Sequence, residues 1–175
     1  MMRVRYNTIN YIIIKYYCIM AEEKHIIRPI SYIDYHNNYL ELLQHSFTMV
    51  PSDVSIHSFT NFIGNLGINH QIFVIEKDVV VESENDKKTI IVGSITVLIE
   101  QKLIHSMGKV AHVEDLITHN SYRGQHIASQ LIEHAKEYAK QNACYKIILN
   151  CDTSLELFYE RNGFTKNGTQ MSLYL

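Results

Sequence analysis

Apolar positions recur along this chain with two periods, and the switches between those periods outline its elements. His25 to Pro29 reads as a short strand. From Ser31, an N-cap residue type, Tyr32, Tyr35, Leu40, Leu43 and Phe47 keep near-helical spacing and predict a helix through Phe47. Pro51-Ser52-Asp53 breaks it. Ser55 to Leu66 predicts a second helix carrying Ile56, Phe59, Phe62, Ile63 and Leu66. The Ile- and Val-rich runs Gln71–Val81 and Thr89–Glu100 flank a polar Glu84–Lys88 segment, the pattern of an antiparallel hairpin. Lys109–Thr118 is a third long strand. Gln125–Gln141 returns to the helical period with Ile127, Leu131, Ala135 and Tyr138 on one stripe. Tyr145–Asp152 predicts a strand, and Ser154–Arg161 a short helix stopped by Asn162-Gly163. Phe164 and Gln170–Leu175 are expected to close the sheet. This β-α-α-β-β-β-α-β-α-β order predicts an α/β or α+β domain, a mixed central sheet with helices on both sides.

Composition narrows the function without choosing it. The 175 residues suffice for one domain with its own core, and no repeat or Pro/Gly-rich linker divides residues 20–175. The chain is 46% hydrophobic and 19% charged, with net charge −2 and no dense Lys/Arg run. Electrostatic attraction to nucleic acid or to a membrane surface is therefore not expected. Cys18, Cys144 and Cys151 form neither a CxxC pair nor a zinc spacing, and the ten histidines are scattered, so no metal is expected. Unpaired thiols fit a reducing, cytoplasmic setting. Residues 1–19 are rich in Ile and Tyr, yet Asn7, Asn10 and Lys15 interrupt them and no cleavage site follows. They read as a disordered extension or an over-extended start ahead of Met20-Ala21-Glu22-Glu23-Lys24.

The candidate chemistry lies where the third long strand meets its helix. Val113-Glu114-Asp115-Leu116-Ile117-Thr118 runs into Tyr122-Arg123-Gly124-Gln125-His126-Ile127-Ala128. Unpaired N–H groups at the positive end of a helix dipole bind phosphate or pyrophosphate. Two adjacent carboxylates stand on the feeding strand; simple alternation sends their side chains to opposite faces, which excludes a paired acid–base dyad.

These segments, with Cys144-Tyr145-Lys146-Ile147, Phe158-Tyr159-Glu160 and Asn162-Gly163-Phe164, resemble the glucosamine 6-phosphate N-acetyltransferases of the Gcn5-related (GNAT) superfamily. The likeness runs from about Ile27 to the C-terminus and is strongest over residues 102–164. It implies the GNAT acyl-CoA fold and a cytoplasmic homodimer. The implied reaction moves acetyl from acetyl-CoA to glucosamine 6-phosphate by direct attack, in UDP-N-acetylglucosamine biosynthesis. It further implies that Arg123, Gly124, Gln125, His126, Ile127, Ala128 and Ser129 hold the pyrophosphate, while Leu116, Ile117 and Thr118 pair with the pantetheine arm. Thr48, Lys102, Leu103, Ile104, His105, Glu114, Asp115, Tyr145 and Lys146 fall on sugar-phosphate positions. Tyr159 matches the residue beside the CoA sulfur, with Glu160 and Arg161 on the cofactor side. Glu114, Asn150 and Tyr159 are thus the candidate catalytic residues.

Three positions depart from that pattern: His126 stands at the first loop glycine, Asn150 at a carboxylate, and Tyr174 at an arginine near the C-terminus. Cys151 has no partner base at a recognisable spacing and reads as a strand-core thiol. Two other functions fit the same residues: acetylation of another small amine or a protein N-terminus, or a non-catalytic acyl-CoA sensor.

Overall fold

The computed structural model describes residues 25–80 and 87–175. Residues 1–24, with the expected extension, and 81–86, with most of the hairpin's polar connection, lie outside the described residues. Five strands form one sheet in the order β1 (Ile26–Pro29), β2 (His70–Val80), β3 (Lys87–Gln101), β4 (Lys109–Thr118) and β5 (Cys144–Leu149). The first four pair antiparallel, while β5 joins β4 in parallel. A parallel neighbour requires a crossover, supplied by the helix α3 (Ile127–Gln141). Helices α1 (Tyr39–Gln44) and α2 (Ile56–Gly64) precede β2, and α4 (Glu156–Arg161) follows β5.

Strand alternation builds two cores. Ile72, Val74 and Ile91 face α1 and α2 and pack with Tyr39, Leu40, Leu42 and Phe59. Phe73, Ile75, Ile95, Val97, Ala111 and Val113 face the other way, onto Ile127, Leu131, Ala135 and Tyr159. Each large side chain removed from water in these layers stabilises the fold by roughly 1.5–3 kcal/mol.

The expected helix from Ser31 to Phe47 is broken in two. A 3-10 turn covers Tyr32–Tyr35, and α1 begins only at Tyr39 because Asn38 takes a left-handed φ of 59°. The Asn38 side chain acts as a piece of strand: Nδ2 donates to Ile91 O and Oδ1 accepts from Ile91 N, both at 3.0 Å. Upstream, Arg28 binds buried Asp34 at 2.7 and 2.8 Å and Glu76 at 2.9 Å, clamping the first turn onto β1 and β2.

The C-terminal strand expected at Gln170–Leu175 does not form. Met171, Leu173 and Leu175 alternate as strand residues do, yet they lie exposed, and no described strand pairs with them. A side-chain pattern selects a face; it cannot supply the neighbouring backbone that a strand needs.

One contact fixes where α3 begins. A Cβ on Gly93 would lie 2.8 Å from Ile127 Cγ2 and 3.0 Å from both Ile117 O and Ile75 Cγ2. Glycine on β3 therefore lets the first helical residue seat directly on the sheet. Gly93→Ala is expected to cost about 1–3 kcal/mol in urea unfolding through overpacking; wild-type stability would show that the helix start does not press on β3.

Candidate active site

The site starts from an irregularity in β4. Thr96 pairs with Glu114, whereas Ser94 pairs with Ile117, so Asp115 and Leu116 together oppose Ile95. This is a β-bulge, and Asp115 accommodates it at a φ of 49°. The extra residue reverses the alternation. Ala111 and Val113 face α3, after the bulge Leu116 does so, and Ile117 turns to the α1–α2 core. The β4–β5 ladder runs from Lys109↔Cys144 only to Val113↔Leu149. Glu114–Thr118 thus borders a gap between diverging strands.

The bulge also revises the expectation for the two carboxylates. Asp115 lies in the left-handed region and does not follow two-residue alternation. The two charges are felt by different phenols. The Asp115 charge is felt by Tyr39, which is hydrogen-bonded to Ser94 and pushed up to about 12 chiefly by burial. The Glu114 charge is felt by Tyr159.

From Thr118 the chain turns into α3 through a short, tied loop. His119 N–H donates to Val92 O at 2.8 Å, and its Nδ1 accepts from Ser121 N–H at 3.2 Å. Burial and the neighbouring His45 ring, 5.0 Å away, hold His119 below the usual histidine range, which favours this accepting, neutral form. Gly124 and His126 both have positive φ, at 79° and 59°. The helical ladder opens with Gln130 N–H on His126 O, leaving Ile127–Ser129 as the first-turn amides that a helix start presents outward. Beside them, Thr118 Oγ1 is buried and has no hydrogen-bond partner among the described residues. Arg123, Gly124, Gln125 and His126 are exposed.

Tyr159 stands on α4, 9% exposed, with Phe158 at 5.0 Å and Phe164 at 5.9 Å between ring centroids. Burial first, then the Cys151 and Glu114 charges, push its phenol up and keep it protonated at neutral pH. A cavity of about 640 Å³ places Tyr159 with Lys146, Asn150, Cys151 and Glu160. Cys151 is exposed there rather than in the strand core. Glu114, Asp115 and the 123–129 loop do not line this cavity, and Arg161 points to solvent at the end of α4.

The sugar-phosphate candidates gather around the β3–β4 connection. Lys102 N–H donates to Gly108 O at 2.9 Å, closing a turn in which His105, Ser106 and Met107 are all left-handed. Leu103 and Ile104 are exposed on that turn. The His105 ring rests 4.5 Å from Tyr145, and Lys146 Nζ lies 5.7 Å from the same ring. A Cβ on Gly108 would meet Tyr145 Cδ1 at 2.9 Å, so glycine permits this packing. Thr48 lies exposed beyond α1, and nothing among the described residues ties it to this group. Sequence reasoning did not bring Glu100 and His112 into the site; Glu100 binds both His112, across the strand pair, and Lys102. Their signal was positional: His112 lies two residues before Glu114 on the same face.

Residues 36–164, which contain this bulged strand and the helix start beside it, are matched by a family model described as Acetyltransferase (GNAT) family. The chain belongs to the GNAT acetyltransferase family. It is 32% identical over 149 residues to a glucosamine 6-phosphate N-acetyltransferase of Arabidopsis thaliana, covering 85% of this chain and 95% of that protein. A Candida albicans protein of the same name is 30% identical, over 87% of this chain and 97% of its own length. The crystal structure of the Arabidopsis thaliana enzyme superposes with a TM-score of 0.74 at 29% identity, over 87% of this chain and 99% of that one.

Within this GNAT loop His126 carries a backbone strain that glycine would relieve. Left-handed geometry costs a non-glycine residue roughly 1–2 kcal/mol. His126→Gly is accordingly expected to raise stability by up to about 1 kcal/mol in chemical denaturation, net of glycine's entropy loss. A destabilised variant would mean that the imidazole makes contacts outweighing the strain.

Proposed function

We propose that this acetyltransferase moves acetyl from acetyl-CoA to the amine of D-glucosamine 6-phosphate, giving N-acetyl-D-glucosamine 6-phosphate for UDP-N-acetylglucosamine biosynthesis. The observation that carries the reading is the bulge at Asp115, which frees the Glu114–Thr118 edge directly beside the amides that open α3. An extended chain with amide groups pairs with a free strand edge, and a pyrophosphate suits a helix start. Acetyl-CoA combines both features. The orphaned Thr118 Oγ1, at the junction of edge and helix, offers a further polar contact. The names carried by the Arabidopsis and Candida relatives support the sugar phosphate as acceptor.

In this reading Leu116, Ile117 and Thr118 pair with the pantetheine arm, and Arg123–Ser129 hold the pyrophosphate. Glu160 and Arg161 flank the cofactor on α4. Thr48, Lys102–His105, Asp115, Tyr145 and Lys146 surround the sugar phosphate, and Glu114 orients its amine. The thioester supplies the acetyl group, which the amine takes by direct attack within a ternary complex. Tyr159, protonated, donates to the departing thiolate, whose conjugate thiol has a reference pKa near 8.5. The base has little to do. An amine near the α-amino reference is about a tenth unprotonated at pH 7, and selecting that fraction costs about 1.4 kcal/mol. Orientation supplies far more, roughly 7–11 kcal/mol. Asn150, which takes up no proton, therefore serves by accepting an N–H through its carbonyl oxygen. The enzyme acts as a cytoplasmic homodimer, without metal, nucleic acid or membrane.

Thiol release from acetyl-CoA tests the proposal with glucosamine 6-phosphate set against spermidine and a peptide panel. Release with the sugar phosphate alone is expected. Preference for another amine moves the enzyme elsewhere in the family, and tight CoA binding without release identifies a sensor. In the same assay Tyr159→Phe should lower kcat by about 100-fold; a kcat within twofold of wild type would reduce the ring to a core contact.

A further inference from the structure

We infer that Glu100 is a positioning residue that sets Lys102 and His112 as a pair of donors for the acceptor's phosphoryl group, an inference that rests on the sugar-phosphate reading above.

Glu100 sits near the end of β3, opposite Val110 of β4. Its carboxylate accepts from two strands at once: Oε1 from Lys102 Nζ at 2.5 Å and Oε2 from His112 Nε2 at 2.9 Å. The hydrogen bond from Lys102, and then that from His112, hold the Glu100 carboxyl below the usual carboxylate range. Lys102 is fixed at its other end as well, because its N–H closes the strained turn on Gly108 O. Two mobile side chains are thereby held in one direction.

That direction matters because of the face it occupies. His112 and Glu114 share the face of β4 turned away from α3, and Ile148 of β5 is level with His112. Lys102 has three donors, of which Glu100 occupies one. His112, gripped through Nε2, keeps Nδ1 free of any partner among the described residues, and the imidazolium form carries an N–H on each ring nitrogen. A phosphomonoester carries a charge of about −1.5 to −2 at pH 7 and three strong acceptor oxygens. It fits two pre-set donors better than a neutral hydroxyl, because the ordering of long side chains is already complete before binding. An exposed ion pair adds little to stability. The arrangement therefore acts on acceptor choice rather than on the fold.

The test compares wild type with Glu100→Gln in the full chain, using glucosamine 6-phosphate and glucosamine as alternative acceptors. The ratio of kcat/KM for the phosphorylated over the plain sugar should fall about tenfold in the variant, through KM rather than kcat. Competitive inhibition by inorganic phosphate should weaken in parallel. Glu100→Asp, which retains the charge, should recover part of the ratio. Loss of both activities in proportion, leaving the ratio at its wild-type value, would show a merely structural residue and overturn the inference. His112→Gln gives an independent check, because it removes the imidazole Nδ1 while sparing the β3 carboxylate; an unaltered ratio there would also count against the pair. The two levels of the reading fail differently. A wild type that ignores glucosamine 6-phosphate sinks the proposed substrate, whereas a discriminating wild type with an equally discriminating Glu100→Gln variant sinks only the role of Glu100.

Discussion

A single extra residue in β4 is the constraint on which the site depends. Asp115 holds a left-handed backbone at a cost of roughly 1–2 kcal/mol. Without it, Leu116 and Ile117 would exchange faces, and each core would lose the side chain that now fills it. Burying Ile117 alone contributes roughly 1.5–3 kcal/mol, enough to offset the strain. The bulge is thus maintained by the cores on either side, while its consequence is felt at the edge. The same residue that reverses the alternation lies just beyond the last β4–β5 pair, where β4 leaves its parallel neighbour. Packing and access to the site are two results of one distortion.

The start of α3 shows a related economy. Gly93 removes a side chain from β3 so that Ile127 seats against the sheet, and this sets the height of the helix relative to the strand edge. His119, bonded through its backbone to Val92 and through its ring to Ser121, ties the loop at its other end. Between these fixed points, Gly124 and His126 absorb the required positive φ values. The amides of Ile127–Ser129, like those of any helix start, have no acceptor within the helix. Such pre-set donors favour an anion without being reorganised by it.

Much of this was legible in the residue pattern. Strands β2 and β3 follow from their Ile- and Val-rich runs on either side of a polar segment, β4 from its place between them and the helix, and α3 from its four-residue stripe. The carboxylates and the loop were singled out from their order in the chain, and Tyr159 from the resemblance to the family. The distortions were not legible. Glu-Asp inside a strand has the same composition whether or not a bulge follows, so the change of face after Asp115 had no signal. The left-handed run His105–Met107 contains no glycine; it is closed locally onto Gly108 and packed against the ring of Tyr145, a contact between segments far apart in sequence. Asn38 reads as an ordinary helix residue until its side chain is seen completing the edge at Ile91. Met171–Leu175 erred in the other direction, because alternation without a partner strand remains only a tendency.

The sheet is covered unevenly, and in the proposed reading each substrate approaches from its own side. One face is closed by α3 and α4 and carries Tyr159 in its core. On the other, α1 and α2 pack over the β1–β3 side, while His112, Glu114 and Ile148 of β4 and β5 extend beyond the buried cluster. The free edge of β4 lies between these regimes: its amides are available to a chain lying in the gap, and its side chains before the bulge are available to a molecule on the open face. Because Glu114 is the last residue before the bulge, its carboxylate belongs to the open face while its charge still reaches Tyr159. Of the groups described, Glu114 is therefore the one on the open face whose charge is also felt by the phenol packed in the opposite core.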